Sequence, residues 1–203
     1  MPTLEVFDDI IDKSLQEKIK FDILNNDENF HWGFIDDITN TDNLAHTQKR
    51  PGFNHIFYQD SLRYCKHYSW MARDIVSPVI DKLKLETYQI FKSKTFLQVP
   101  LNLKDYTVDN AHVDMIRPHL VILYYVMDSD GDTIIYNNQW EKGETIKNSE
   151  ETAKLLIKKK ITPKQGRVIV FNGSYWHTAE QPKHNNRCVI NSNITYEGIN
   201  ANV

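Results

Sequence analysis

Nowhere in the 203 residues does the chain hold a run of roughly 18 apolar residues, so the sequence contains no candidate transmembrane helix. Cysteine is nearly absent: Cys65 and Cys188 are the only two. A globular chain of this length buries roughly 70% of its unfolded surface and needs no covalent staple. The two are therefore expected as free thiols in a reducing compartment. An excess of basic charge is also missing. The formal net charge is -3, which gives no general attraction to phosphate backbones and argues against nucleic acid as a partner. The opening MPTLEVFDDIIDK has neither the basic leader nor the apolar stretch of a signal peptide, so the expected location is cytoplasmic. No repeat, low-complexity tract or linker divides the chain, and a single domain over 1–203 is expected.

What is there changes character midway. Residues 1–85 read as a helical part. Ser14-Leu15-Gln16-Glu17 has the form of a capping box ahead of Ile19, Phe21, Ile23 and Leu24. Leu62, Cys65, Ser69, Ala72, Ile75 and Val76 recur at helical steps, and Pro78 is expected to end or bend that helix. Between them, Trp32 to Asn54 is polar and irregular, with the composition of a mobile lid or substrate loop. Residues 86–198 are β in texture: TYQIFKSKTFLQV, HLVILYYVM, DTIIY, LLIKKKI, GRVIVF and RCVINSNITY alternate with turn-rich segments such as DSDGD and PKHNN. The expected class is mainly β with N-terminal helices (α+β), about eight strands forming a sandwich or barrel.

The segment NAHVDMIRP places His112 and Asp114 two residues apart. On a strand, that spacing aims an imidazole and a carboxylate at the same point. A third ligand has to come from elsewhere in the β half, which offers His119, His177 and His184. Of these, His177 in SYWHTAEQ follows the strand-like GRVIVF, on a barrel strand or its edge. Two histidines and a carboxylate on one face leave positions open on an octahedral ion, the pattern of non-haem Fe(II) oxygenases. Arg187 follows ten residues after His177, on the next strand-like run, and a hairpin is expected to bring it back beside the metal. A buried guanidinium there would meet a carboxylate bidentately. A metal at one end and an arginine at the other suit a dicarboxylic keto acid.

From His112 to about Thr195 the chain resembles the Fe(II)/2-oxoglutarate dioxygenases, nearest in layout to the prolyl 4-hydroxylase-like branch. The resemblance rests on HVD, on HLVILYYVMDSDGDT, on TPKQGRVIVFNGSYWHTAE and on Arg187, with EVFDDIIDKSLQEKI as a similar helical lead-in. It implies a double-stranded β-helix (jelly roll), with His112, Asp114 and His177 as Fe(II) ligands and Arg187 as the anchor of 2-oxoglutarate, where that branch usually carries Lys. Thr133, in the DGDT turn, is implied as a second co-substrate contact. The tyrosine that the branch places before His-x-Asp is missing from FLQVPLNLKDY; its role falls to Gln98, Tyr124 or Tyr125, with Tyr124 as the candidate. The implied reaction uses O2 and oxidatively decarboxylates 2-oxoglutarate to succinate and CO2. Its outcome is hydroxylation of an aliphatic carbon, on a peptidyl (prolyl or other) residue or a small molecule.

Arg117, three residues after Asp114, is a candidate for holding an acidic group of the substrate, against the plainer reading of a solvated loop arginine. Arg187, Val189, Asn191 and Asn193 share one strand face, which makes Asn193 a candidate pocket residue. Trp176, beside His177, is expected outside the barrel, and Lys158-Lys159-Lys160 as a charged edge that discourages strand pairing. Two other functions compete. A nucleic-acid dealkylating dioxygenase is disfavoured by the acidic balance, and a non-catalytic cupin-like barrel would hold metal without turnover.

Overall fold

The computed structural model describes residues 4–25, 28–38, 49–59, 62–104 and 107–196. Among the described residues eleven strands form two antiparallel sheets. The larger runs in the order β1 (Leu4–Phe7), β9 (Val168–Asn172), β6 (Leu120–Tyr125), β11 (Arg187–Tyr196), β5 (Tyr88–Gln98), β3 (Gly52–Gln59) and β2 (Gly33–Ile35), with β4 (Leu62–Arg63) paired to β3. The smaller has β7 (Thr133–Gln139) between β10 (Tyr175–Ala179) and β8 (Ile157–Ile161). β6 is buried along its whole length because both faces of the larger sheet are covered. Leu120, Ile122 and Tyr124 join Val168, Val170, Cys188 and Ile190 in a core with the helices. Val121, Leu123 and Tyr125 face the other way, with Ile135, Ile169, Phe171 and Val189 between the sheets. A period of two thus sorts each central strand into a structural face and a cavity face.

Residues 1–85 are less helical than expected. They contribute four strands, which extend the larger sheet at both edges. α1 (Lys13–Leu24) begins before the expected capping box, with Asp12 at its N-cap position and no side-chain cap. Gln16 is drawn inward instead, where its Nε2 donates to Ile11 O at 2.7 Å, while Ile19 and Ile23 bury the helix face. Of the second expected helix, Leu62 lies in β4 and helix starts only at α2 (Tyr68–Met71). It continues through a π-helical turn, Ala72–Val76, into α3 (Ser77–Leu83). Pro78 does not end it. The wider π turn spares the missing N–H and gives the ring room, and proline then sits in the first turn of α3. The stretch Trp32 to Asn54 is not simply irregular. Its two ends pair, Gly33 opposite Asn54 and Ile35 opposite Gly52, and the centre of the expected lid, 39–48, lies outside the described residues.

The expected hairpin between His177 and Arg187 is also corrected. β10 pairs with β7, whereas β11 lies between β5 and β6. The PKHNN turn crosses from one sheet to the other and delivers Arg187 to the opposite wall of the same interior. α4 (Ser149–Ala153), capped by Asn148 accepting from Glu151 N at 2.9 Å, was not expected from sequence. Lys158, Lys159 and Lys160 do lie exposed on the outer strand of the smaller sheet. Cys65 and Cys188 are both free. Among the described residues no helix is long and apolar enough to cross a membrane.

One close approach is tight enough to test. A Cβ at Gly173 would stand 2.0 Å from Nε2 of the fully buried His119 ring. Gly173→Ala is expected to lose about 1–3 kcal/mol of stability, because the ring has nowhere to move. Urea unfolding of the two proteins checks it; equal midpoints at equal slope would show that the ring has space after all.

Candidate metal centre and co-substrate pocket

The chain just before His-x-Asp lies alongside β10. Asp109 N donates to Ala179 O at 2.9 Å, and His112 and His177 exchange both backbone hydrogen bonds, each at 3.0 Å. Directly paired residues of an antiparallel ladder point their side chains to the same face, so the two imidazoles meet with ring centroids 4.6 Å apart. Asp114 Oδ1 lies 4.0 Å from His112 Nε2, and its Oδ2 lies 3.6 Å from His177 Nε2. One ligand atom from each of the three residues falls within 4.8 Å of the others.

The protonation pattern suits a cation. Nδ1 of His112 faces Asn110 O at 3.3 Å and Nδ1 of His177 faces Tyr175 O at 3.0 Å. A carbonyl can only accept, so each ring carries its proton on Nδ1 and turns an Nε2 lone pair into the cavity, as metal-binding histidines do. Burial, helped by the neighbouring His177, pushes His112 down to about 4, which keeps it neutral. Burial opposes the charge on Asp114, yet His177 beside it, with His112 and Lys92, holds its carboxyl well below the usual carboxylate range. Asp114 Oδ2 also accepts from the side-chain amides of Asn191 at 3.1 Å and Asn193 at 2.9 Å. Two donors fill the in-plane lone pairs of that oxygen and leave Oδ1 to a metal. Asn193 is therefore committed to Asp114, a partner the sequence reading did not foresee. Two imidazoles that turn Nε2 inward and one oriented carboxylate fit a six-coordinate iron with open positions.

At the other end of the cavity Arg187 is buried. Its Nε donates to Gly131 O at 2.9 Å, Nη1 to Gln98 Oε1 at 2.8 Å and Nη2 to Thr133 Oγ1 at 2.8 Å. Among the described residues three of the five guanidinium donors are used; one remains on each Nη, the fork a carboxylate accepts. Thr133 Oγ1 also accepts from Tyr125 Oη at 2.7 Å, so both its lone pairs are taken and its own hydrogen is left to donate. Behind them, Gln98 Nε2 donates to Asp109 at 3.3 Å, and Asp109 is paired with Arg50 at 2.8 Å and bonded by Gln181 at 2.9 Å. Burial pushes the carboxyl of Asp109 up to about 6 against those partners.

The triad, Arg187, Thr133 and Gln98 line one cavity of about 160 Å³, its walls completed by Phe96, Leu123 and Val189. Tyr124 does not belong to it. Its position sends the ring to the helix-facing core, where the Oη is buried with no hydrogen-bond partner among the described residues; Tyr125, one residue on, is the tyrosine that reaches Thr133. Arg117 is exposed, with its guanidinium 4.7 Å over the Phe91 ring, and does not line the cavity. His119 is buried and bonded through Nδ1 to Arg117 O at 2.8 Å, and His184 sits in an exposed turn whose backbone N–H donates to Asp130 at 3.0 Å. Trp176 packs on the outer side of the smaller sheet with Ile134 and Tyr136, as its parity required.

No family model matches the chain, and no curated protein matches it in sequence. Solved structures match its fold. An oxidoreductase of the 2OG-Fe(II) oxygenase family from Burkholderia pseudomallei superposes with a TM-score of 0.60 at 10% identity, covering 95% of this chain and 84% of that one. A prolyl hydroxylase from Trichoplax adhaerens, in complex with a hypoxia inducible factor peptide fragment, gives 0.62 at 15%, over 96% and 84%. The α-ketoglutarate-dependent epimerase SnoN of nogalamycin biosynthesis gives 0.65 at 9%, over 95% and 76%. The chain has the jelly-roll fold of the Fe(II)/2-oxoglutarate oxygenases, prolyl hydroxylases among them. That fold serves both a hydroxylase and an epimerase, so the reaction outcome has to be argued from the site.

Two expectations follow for the metal. The double variant His112→Ala/His177→Ala should bind no divalent ion under conditions where the wild type takes up one per chain. Asn191→Ala/Asn193→Ala should bind it about 10- to 100-fold more weakly, the usual cost of losing partners that orient a ligand. Competition with a chromophoric chelator measures both, and unchanged affinity in the histidine variant would remove the metal assignment.

Proposed function

We propose that the chain is an Fe(II)- and 2-oxoglutarate-dependent dioxygenase that hydroxylates an aliphatic carbon of a peptidyl or small-molecule substrate. One observation carries this reading. A His-Asp-His donor set and a buried arginine with two unused donors line the same small cavity. The metal would be held by His112, Asp114 and His177. Arg187 and the Thr133 hydroxyl would receive the distal carboxylate of 2-oxoglutarate, leaving its 2-oxo acid end to reach the metal. Bound iron supplies the activation of O2 that is coupled to decarboxylation of 2-oxoglutarate to succinate and CO2.

The chain's own part is to bind, orient and exclude water. Asn191 and Asn193 keep Asp114 from rotating. Gln98 holds the guanidinium through its amide oxygen, and its amide nitrogen hands the strain of a buried cation on to Asp109. Phe96, Leu123 and Val189 keep the cavity wall apolar, which strengthens the ion pair that closes on the co-substrate. A cupin-like binding barrel without turnover could use the same triad but has no use for an open guanidinium fork; consumption of 2-oxoglutarate separates the two.

Arg187→Met should keep the metal and lose 2-oxoglutarate. Removing one partner of a buried charge pair costs about 2–5 kcal/mol, roughly 30- to several-thousand-fold in affinity. Arg187→Lys should recover part of it, since an ammonium meets a carboxylate at one point only. Pyruvate, which lacks the distal carboxylate, should bind weakly and equally to all three proteins. Anaerobic titration of the iron-loaded proteins reads this out, with retained metal as the control for folding. Wild-type affinity of Arg187→Met for 2-oxoglutarate would assign the anchor to another group.

A further inference from the structure

We propose that Asp109 is the positioning residue of the co-substrate anchor: through Gln98 it fixes how Arg187 presents its guanidinium to the cavity. This deepens the dioxygenase reading above and rests on it. Gln98 stands directly opposite Arg187 across the β5–β11 ladder, so the two side chains leave the sheet on one face. The Oε1 of Gln98 accepts from Arg187 Nη1 at 2.8 Å, and its Nε2 donates to Asp109 Oδ2 at 3.3 Å. A side-chain amide has one accepting end and one donating end, and turning it round exchanges them. What Gln98 offers Arg187 is therefore decided at its other end.

Asp109 decides it because a carboxylate can only accept. Among the described residues every side chain bonded to that carboxylate is a donor. Arg50 Nε lies 2.8 Å from Oδ1, and Gln181 Nε2 donates to both oxygens at 2.9 Å. Gln98 has to turn its amide hydrogens toward Asp109 and its oxygen toward the arginine. With the amide reversed, N–H would face N–H. Nη1 would lose its acceptor, and the guanidinium would be released from its aim.

Asp109 is itself fastened to the strand that carries a metal ligand. Its N donates to Ala179 O at 2.9 Å, and its O accepts from Thr178 Oγ1 at 2.7 Å. Both partners lie on β10, just after His177. Arg50, buried beside Asp109, is held in turn by its own carbonyl, which accepts from Ile38 N at 2.8 Å. The residue that aims the anchor thus belongs to the same ladder that aims the imidazoles. A keto acid gripped at both ends needs the two ends set relative to one another, and Asp109 is where they are joined.

The test uses the full chain, loaded anaerobically with Fe(II) and titrated with 2-oxoglutarate and with pyruvate. The titrations are run at pH 8, above the value of about 6 to which burial raises the Asp109 carboxyl. Asp109→Asn keeps the shape and removes one acceptor. The remaining oxygen stays with the Arg50 charge, so the new NH2 faces Gln98 and turns that amide round. The variant should take up metal and bind pyruvate as the wild type does, but bind 2-oxoglutarate about 5- to 100-fold more weakly. Gln98→Met should show a similar loss. Gln98→Met/Asp109→Asn should lose no more than Gln98→Met alone, because Asp109 works through Gln98; a merely structural role would add its own cost. Where Asp109→Asn fails to fold, Arg50→Met/Asp109→Leu removes both charges of the pair together, which a core tolerates better than one charge left alone. It should show the same selective loss. Wild-type affinity for 2-oxoglutarate in either Asp109 variant, or a further loss in the double variant with Gln98→Met, overturns the proposal. A wild-type chain that takes metal but no 2-oxoglutarate sinks the dioxygenase reading itself.

Discussion

The site depends on one backbone contact, the reciprocal hydrogen bonds between His112 and His177. It is a β pairing made outside any long strand, flanked by the Val108–Glu180 bridge and by the Thr178 hydroxyl donating to Asp109 O at 2.7 Å. Because the two residues are directly opposed, both side chains leave the backbone on the cavity side. The spacing of Asp114 from His112 then brings the carboxylate to the same point. Two imidazoles far apart in sequence are thus brought together by main-chain geometry alone.

Around that contact the fold is a sorting device. In β6, β9 and β11 alternate residues go to the helix-backed core or to the cavity. The fate of the tyrosines in β6 shows how sharp the sorting is. Tyr124 and Tyr125 are both fully buried, yet only the second turns its hydroxyl to Thr133 at the cavity. A slip of one residue in register would exchange them and would turn Arg187, Asn191 and Asn193 away from the cavity and Asp114. The apolar packing of both faces is what forbids the slip.

The polar end of the cavity obeys a different constraint. Buried charges are tolerable only when paired and hydrogen-bonded. The chain meets this with an alternating line from Arg50 through Asp109 and Gln98 to Arg187, which stops one partner short at the pocket. The unfilled donors of Arg187 and Thr133 are left facing the cavity.

Much of this was legible in the sequence because it rests on short-range rules. A period of two predicted that His112 and Asp114 converge, that Arg187, Val189, Asn191 and Asn193 share a face, and that Trp176 turns outward. Composition placed the helices early and the strands late. What the sequence did not determine was set by long-range pairing. β1 and β3 join the sheet only because β9 and β5 leave edges open to them, so the first 85 residues read as more helical than they are. The crossover of PKHNN between sheets, in place of a hairpin, follows from which strands flank β11. The choice of Tyr125 over Tyr124 needed the absolute register of β6, since alternation separates the two without saying which faces in. The commitment of Asn191 and Asn193 to Asp114 needed the closure of the barrel. Local sequence fixes which residues point together; only the packing of two sheets decides what they point at.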